Sequence, residues 1–407
     1  MKRHRKRSTK KGWIIATTLL FLFPAVLVLL VRYTDGTIST GNRIILGYDE
    51  SSGKFQILEN IAHVLDGIDG PYIIGNEVIR VNKNNKIVRR KLRSDKIRVS
   101  VNNMRKDQFA LELQNQINPP KSIFDLPDKI IAISDIEGNF DGFVGFLEKN
   151  KVIDSQFNWI FGQGHLVLLG DFVDRGNNVL PVLWLIYKLE QEARDHGGCV
   201  HFILGNHEIM NIQGDLRYVD QRYIAFTQAI GKSETLVEDY QEIFSENAHL
   251  GKWMRSKNVI EKIGDYLFVH GGLSPEILEY DLTLEEINQI VRDNIDLQPH
   301  QELIEDETVS FLMGARGPYW YRGMIMAHEY YDKIEEEELD MILERYGARK
   351  IIIGNTIVRD ISTDYNKKVI RIDVQHRKER NSGFTKGVLI AEGQEYRIND
   401  LGEKSKL

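Results

Sequence analysis

The period of the apolar positions changes along the chain. Residues 13–31, WIIATTLLFLFPAVLVLLV, are one uncharged apolar run, long enough to cross a bilayer core as a helix. From 36 to 121 the runs become short and alternating: PYIIGNEVIRV (71–81), NKIVRRKL (85–92) and KIRVSV (96–101), with the turn NKNNK (82–86) between the first two. They predict a small β-rich N-terminal region, read as scaffold packed on the main domain. NPPKSIFDLP (118–127) brings three prolines into a polar stretch and reads as a boundary.

Beyond it, buried-looking strands alternate with helical spacing. KIIAISD precedes FDGFVGFLEKN, and HLVLLGD precedes NVLPVLWLIYKLEQEA. VHFILGN, DYLFVHGG and KIIIGN are further apolar runs that end in polar residues. The alternation predicts an α/β domain over 125–400 with its functional groups at strand ends. Residues 211–262 read as a mostly helical insert, expected to form a lid over the site.

Charge changes the picture at the N-terminus. Residues 1–12, MKRHRKRSTKKG, are strongly basic, and the first 32 residues hold eight Lys and Arg and no acidic residue. A basic flank places that end in the cytoplasm and the bulk of the chain outside, on the periplasmic or extracellular side. A cleaved signal peptide would have a shorter apolar core and a small-x-small site, which VRYTDG does not offer, so 13–31 is expected to stay as an anchor. The remaining body carries 45 Lys and Arg against 59 Asp and Glu, a balance that argues against general nucleic-acid binding. The single cysteine, Cys199, excludes an intramolecular disulfide and a cysteine zinc site.

The candidate chemistry lies at five strand ends: Asp135-x-Glu137; GDFVDRG with Asp171, Asp174 and Arg175; GNHE with Asn206, His207 and Glu208; HGG with His270; and IIIGNT with Asn355. Each alone has a structural reading, but five in series fit a dinuclear metal centre. Carboxylate and amide oxygens suit hard divalent ions, and imidazole suits Mn, Fe or Zn. A bridging carboxylate such as Asp171 can hold two ions that activate water for in-line attack on phosphorus. His207 can protonate the leaving oxygen with Asp174 orienting its ring, and Arg175 can grip phosphate.

GDFVDRG, GNHE and HGG together resemble the calcineurin-like metallophosphoesterases, on the branch of serine/threonine protein phosphatases. LGNHEIMNIQGDLRYV (204–219) and GPYWYRG (317–323) are similar to the bacterial Shewanella-type phosphatases. The resemblance spans roughly 125–376. It implies a four-layer fold, a β-sandwich flanked by helices, with two metals at its edge. By family pattern Asp135, Asp171, Asn206 and His270 match metal ligands. His207, Asp174 and Arg175 match the catalytic and phosphate-binding groups, and Arg217 and Arg322 fall in further arginine-bearing motifs that contact phosphate.

Two positions depart from the pattern. Glu137 stands where the family has His, and Asn355 where the last imidazole would come from GHT. Both keep a donor atom. A first site of Asp135, Glu137 and Asp171 would be all oxygen, which favours Mn²⁺, with Mg²⁺, Fe or Zn as alternatives. His376, in VIRIDVQH, follows the next strand and is a candidate to compensate for Asn355. The reading is a membrane-anchored phosphatase that hydrolyses phosphate monoesters, phosphoproteins among them, by direct attack of a metal-bound hydroxide. Its alternatives are a dinucleotide polyphosphate hydrolase or phosphodiesterase, and a catalytically silent binder of a phosphorylated ligand. The implied partners are a phosphorylated substrate and a membrane, with no nucleic acid and no specified oligomeric state.

Overall fold

A computed structural model describes residues 37–40, 44–49, 54–58, 65–297 and 304–407. The chain divides into two compact units, Met1–His63 and Val64–Leu407. In the first, the strands Thr37–Thr40, Ile44–Asp49 and Lys54–Leu58 pair antiparallel in that order. The basic tail 1–12 and the apolar segment 13–31 lie outside the described residues. Among the described residues no helix is long and apolar enough to cross a membrane.

The second unit is a β-sandwich of two six-stranded sheets. In the first sheet Cys199–Ile203, His165–Leu169 and Lys129–Ile133 run parallel; Lys386–Ala391, Gln394–Asn399 and Lys404–Lys406 extend it antiparallel. The second sheet has the order Ser362–Asp364, Val369–Arg371, Lys350–Ile353, Tyr266–Val269, Ile260–Ile263, Ile123–Phe124. Side chains alternate across each strand. Ile130, Ala132, Val167 and Leu169 pack between the sheets against Phe268, Ile352 and Ile370. Ile131, Ile133, Leu166 and Leu168 face the other way, into the core shared with the helices.

Helices cover the outer faces. Val179–Asp195 packs on Cys199–Ile203, and Leu284–Asp293 packs on Ile260–Ile263. The first is buried at every position from Val179 to Leu189. Pro181 fits within its first turn, where backbone N–H groups have no helical partner to lose. Helix Phe140–Lys149 starts on Asn139, whose side chain accepts from the Gly142 amide at 3.0 Å.

The region 36–121 is not one body: the break between compact units falls at His63 and Val64, inside it. The strands Asp69–Ile74, Glu77–Val81 and Ile87–Lys91 form one sheet, as their alternation predicts, and Lys96–Ser100 pairs with Gln108–Glu112, a strand that the sequence reading did not identify. Both pack on the main body of the second unit. Trp184 Nε1 donates to the Pro71 carbonyl at 2.9 Å, and Tyr72 stacks on Phe226 with ring centroids 3.7 Å apart. Arg380 pairs with Asp107 of the hairpin and with Asp141 of the first helix. Nor is the proline-rich stretch a boundary: Ile123–Phe124 pairs with Ile260–Ile263 as the edge of the second sheet.

One charged contact crosses the sandwich interior. His201 Nδ1, from the first sheet, meets Glu261 Oε2 of the second at 2.5 Å, and both are buried. Burial works against ionising His201, but Cys199 and Glu261 outweigh it and raise its pKa to about 10. Such a group contributes stability that is complete below its unfolded value near 6.5 and is lost as pH rises through about 10. Thermal melts from pH 7 to 10 should therefore show a fall in Tm. That fall should be smaller in His201→Phe/Glu261→Leu, where both partners are replaced together. Equal slopes in the two proteins would contradict the assignment.

Candidate functional site

The strand ends of both sheets converge at one edge of the sandwich. Asp135 follows Lys129–Ile133, Asp171 follows His165–Leu169, and His270 follows Tyr266–Val269. Their donor atoms all lie within 4.8 Å of one another. Asn206 opens the helix Asn206–Gln213 after the strand Cys199–Ile203 and places its Oδ1 3.1 Å from His270 Nε2. Sequence reasoning brought these four residues together, and the structure does so as well.

Glu208 sets the loops that carry two of them. Its buried carboxylate accepts from the amides of Asp171, Phe172 and Gly205, each at 2.8 Å. The Asp171 and Asn206 loops are thus pinned to one side chain. A Cβ on Gly205 would come 2.2 Å from Asp171 Oδ1, so the close approach needs glycine. The backbone is left-handed at Asp135, Glu137, Asp171, Asp174, Arg175 and Asn355, with φ between 48° and 68°. Non-glycine residues rarely adopt that conformation, and it concentrates at functional sites.

The donor set fits a divalent cation. His270 Nδ1 donates to the Leu169 carbonyl at 2.6 Å, which turns Nε2 toward Asp171 Oδ2 at 3.2 Å and Asn206 Oδ1. A ring nitrogen facing two oxygens needs a proton or a cation between them. Asp135 Oδ2 is buried with no hydrogen-bond partner. Burial and the charges of Asp373 and Asp171 push the Asp135 pKa well up. Burial also favours the neutral form of Asp171, but His207 and His270 pull it down to about 2. Carboxylates crowded in this way are what a bound cation relieves.

Beside this cluster lies a dyad. His207 Nδ1 meets Asp174 Oδ2 at 2.6 Å, and Nε2 lies 3.7 Å from Asp171 Oδ2. Burial opposes the charged imidazole, but Asp171 and Asp174 outweigh it and raise the pKa of His207. The other Asp174 oxygen accepts from Asn211 Nδ2 at 2.8 Å, and Asn211 Oδ1 accepts from Tyr240 OH at 2.5 Å. These supporting residues come from 211–262. Asn211 and Tyr240 of the insert, which was expected to form a lid, thus brace the dyad by hydrogen bonds, and its loop carries the exposed Arg217 and Tyr218 beside it. The Tyr218 ring lies 4.9 Å from that of His207, between Arg175 at 5.0 Å and Arg217 at 5.9 Å.

The two residues that depart from the expected pattern hold arginines. Glu137 pairs with Arg175. Asn355 accepts from Arg322 twice, at its carbonyl (3.0 Å) and at Oδ1 (2.8 Å), and its amide nitrogen donates to the Trp320 carbonyl. Both Asn355 oxygens are thus taken up by Arg322. Arg217 pairs with Asp215, with NH2 2.7 Å from Oδ2. His376 does not compensate for Asn355. Its Nε2 donates to the Ser134 carbonyl at 2.9 Å and its Nδ1 accepts from the Lys386 amide at 3.4 Å, so both ring nitrogens serve the backbone. Burial lowers its pKa to about 4.

Sequence reasoning missed Asp373. It is buried, burial raises its pKa to about 7, and its charge acts on Asp135. The signal was there: Asp373 follows an apolar strand, Val369–Arg371, as Asp135 and Asp171 do.

Residues 128–358 match the family described as calcineurin-like phosphoesterase. Shewanella-like protein phosphatase 2 of Arabidopsis thaliana is 30% identical, over 70% of this chain and 80% of its own. Shewanella-like protein phosphatase 1 of Plasmodium berghei is 29% identical, over 56% of this chain and 61% of its own. Among solved structures, a cold-active protein-tyrosine phosphatase of a psychrophilic Shewanella species superposes with a TM-score of 0.73 at 33% identity. It covers 84% of this chain and 100% of its own.

Glu208→Gln tests the loop anchor. An amide would place its NH₂ against a backbone N–H and leave a buried donor unpaired, at about 1–3 kcal/mol. Chemical denaturation should show that loss of stability, and an unchanged midpoint would contradict the role.

Proposed function

The chain belongs to the calcineurin-like phosphoesterase family, and on that premise we propose how its own residues bind and cleave a phosphate monoester. It is a metal-dependent phosphatase, a hydrolase of phosphoric esters. The observation that carries the proposal is the His207–Asp174 pair at 2.6 Å, set beside the Asp135, Asp171 and His270 cluster.

Asp135, Asp171, Asn206 and His270 would hold two divalent ions, with Asp171 shared. Ions bound there would neutralise phosphoryl oxygens and acidify water. Three oxygen ligands to one imidazole favour Mn²⁺ over zinc. Arg175 and Arg322 would grip the remaining phosphate oxygens, presented there by Glu137 and Asn355. Water that has lost one proton to solvent attacks phosphorus, the P–O ester bond breaks, and His207 Nε2 gives its proton to the departing oxygen and regains one from solvent. Asp174 keeps Nδ1 protonated and stabilises the imidazolium that donates. The relatives' names include both protein-tyrosine and serine/threonine phosphatases, and phosphorylated protein side chains are the substrate class proposed for this chain. The sequence supports the further proposal that 13–31 anchors the protein with its catalytic body outside.

Chelation should abolish hydrolysis of an aryl phosphate monoester, and Mn²⁺ should restore it better than Mg²⁺ or Zn²⁺. Faster turnover of a diester than of a monoester would overturn the substrate class. His207→Ala should lower kcat by about 10²–10⁴-fold, the usual worth of positioned acid catalysis. Asp174→Asn should act in the same range while leaving metal content intact, and the double variant should lose little more than either alone. The losses should shrink with leaving groups that need no proton. Losses that multiply would mean that the two residues do not act as a unit.

A further inference from the structure

Asn211 lies one turn beyond His207 on the helix Asn206–Gln213, and its side chain is buried. Both hydrogens of its Nδ2 are taken. One goes to Asp174 Oδ1 at 2.8 Å and one to the His207 carbonyl at 2.9 Å. An ionised carboxylate and a carbonyl can only accept. The amide turned end for end would set its own oxygen against both. Which end faces Asp174 therefore decides whether the carboxylate that orients His207 is supported or repelled.

The amide oxygen points the other way. It accepts from the Tyr240 hydroxyl at 2.5 Å, and Tyr240 is itself buried. Burial, with the charges of Asp174 and Tyr223, raises the Tyr240 pKa well above the ordinary phenol value, so the hydroxyl keeps the proton it donates. Without that donor the amide oxygen would be buried and unpaired, a cost large enough to move the side chain. There is room to move: Asp174, Asn211, Tyr223 and Tyr240 line one small cavity.

Tyr240 comes from the insert helix Leu236–Ile243, which meets the helix of His207 at two further points. Gln241 Nε2 donates to the Gln213 carbonyl at 2.9 Å. A Cβ on Gly214 would come 2.8 Å from Val237 Cγ1 and from Gln241 Cγ, so the close passage needs glycine. Thr235 caps the insert helix, with Glu238 answering its amide, which sets where the helix begins.

We propose that Tyr240 is a positioning residue for the acid: its hydroxyl fixes the Asn211 amide, and the amide holds Asp174 on His207 for proton delivery to the leaving oxygen. The proposal rests on His207 being the acid of a phosphatase. The insert helix then contributes to proton delivery, whereas the cations and the phosphate are held without it.

Kinetics on the full protein compare phenyl phosphate, whose leaving oxygen needs a proton, with a dinitrophenyl phosphate, whose leaving oxygen does not. Tyr240→Phe should lower kcat for phenyl phosphate about tenfold, the worth of one buried hydrogen bond, with KM and bound metal unchanged. For the dinitrophenyl ester kcat should change less than about twofold. Asn211→Asp keeps an acceptor for Tyr240 but sets a carboxylate against Asp174, and it should show the same selective loss. Tyr240→Phe added to Asn211→Leu should cost nothing more, because the tyrosine acts only through the amide. The downfield proton resonance of His207 Nδ1, assigned by its loss in His207→Ala, should shift or broaden in Tyr240→Phe. That signal needs no turnover: its shift in a protein that hydrolyses neither ester would uphold the positioning and sink the phosphatase reading alone. No loss, equal losses for the two esters, losses that multiply with Asn211→Leu, or an unmoved resonance would each overturn the proposal.

Discussion

The site depends on one buried carboxylate. Glu208 accepts three backbone amides from two different strand-to-loop junctions, and through them it fixes Asp171 and Asn206. Such an arrangement is costly to build. Glu208 is fully buried, and burial together with Asp171 raises its pKa. Around it, six site residues sit in left-handed backbone, each costing on the order of 1–3 kcal/mol. A loop would relax out of that geometry. Here the loops leave strands buried on both faces, Lys129–Ile133 and His165–Leu169, whose packing does not yield.

The same rigidity explains the fate of the two altered positions. Glu137 and Asn355 both kept a polar oxygen, and both oxygens face an arginine. Burial raises the Asp373 pKa, and the charges of Arg175 and Arg322 act against that rise. The proposed phosphate grip is thus assembled before substrate arrives, with little side-chain freedom left to lose. The departures from the family pattern moved two donors from the cluster to the arginines around it, while Asp135, Asp171, Asn206 and His270 stayed together.

Much of this was legible in the sequence because it rests on strands. Ile130 to Ile133 and Leu166 to Leu169 are apolar runs whose ends must emerge at a sheet edge, so Asp135 and Asp171 were found by pattern. Helix Val179–Asp195 and the hairpin around Lys83 followed from period and turn chemistry in the same way. What pattern could not show was where a side chain points once the backbone turns left-handed. Glu137 and Asn355 have ligand chemistry, but their direction is set by φ and by arginines 33 or more residues away in sequence. His376 drew attention as an imidazole near the site, yet its ring turns to the Ser134 carbonyl, and Asp373, three residues earlier, faces the cluster. Prolines at 119, 120 and 127 resembled a linker, but the strand between them completes a sheet.

Asp135, Asp171, Asn206 and His270 are proposed to hold the cations, while Glu137 and Asn355 hold arginines. Crystals of the protein soaked in Mn²⁺ and measured for anomalous scattering test it most directly. Two peaks about 3.5–4 Å apart astride the Asp171 carboxylate are expected, with Glu137 still on Arg175 and Asn355 still on Arg322. No peak at Asp171, or Glu137 and Asn355 turned onto the metal, would contradict it.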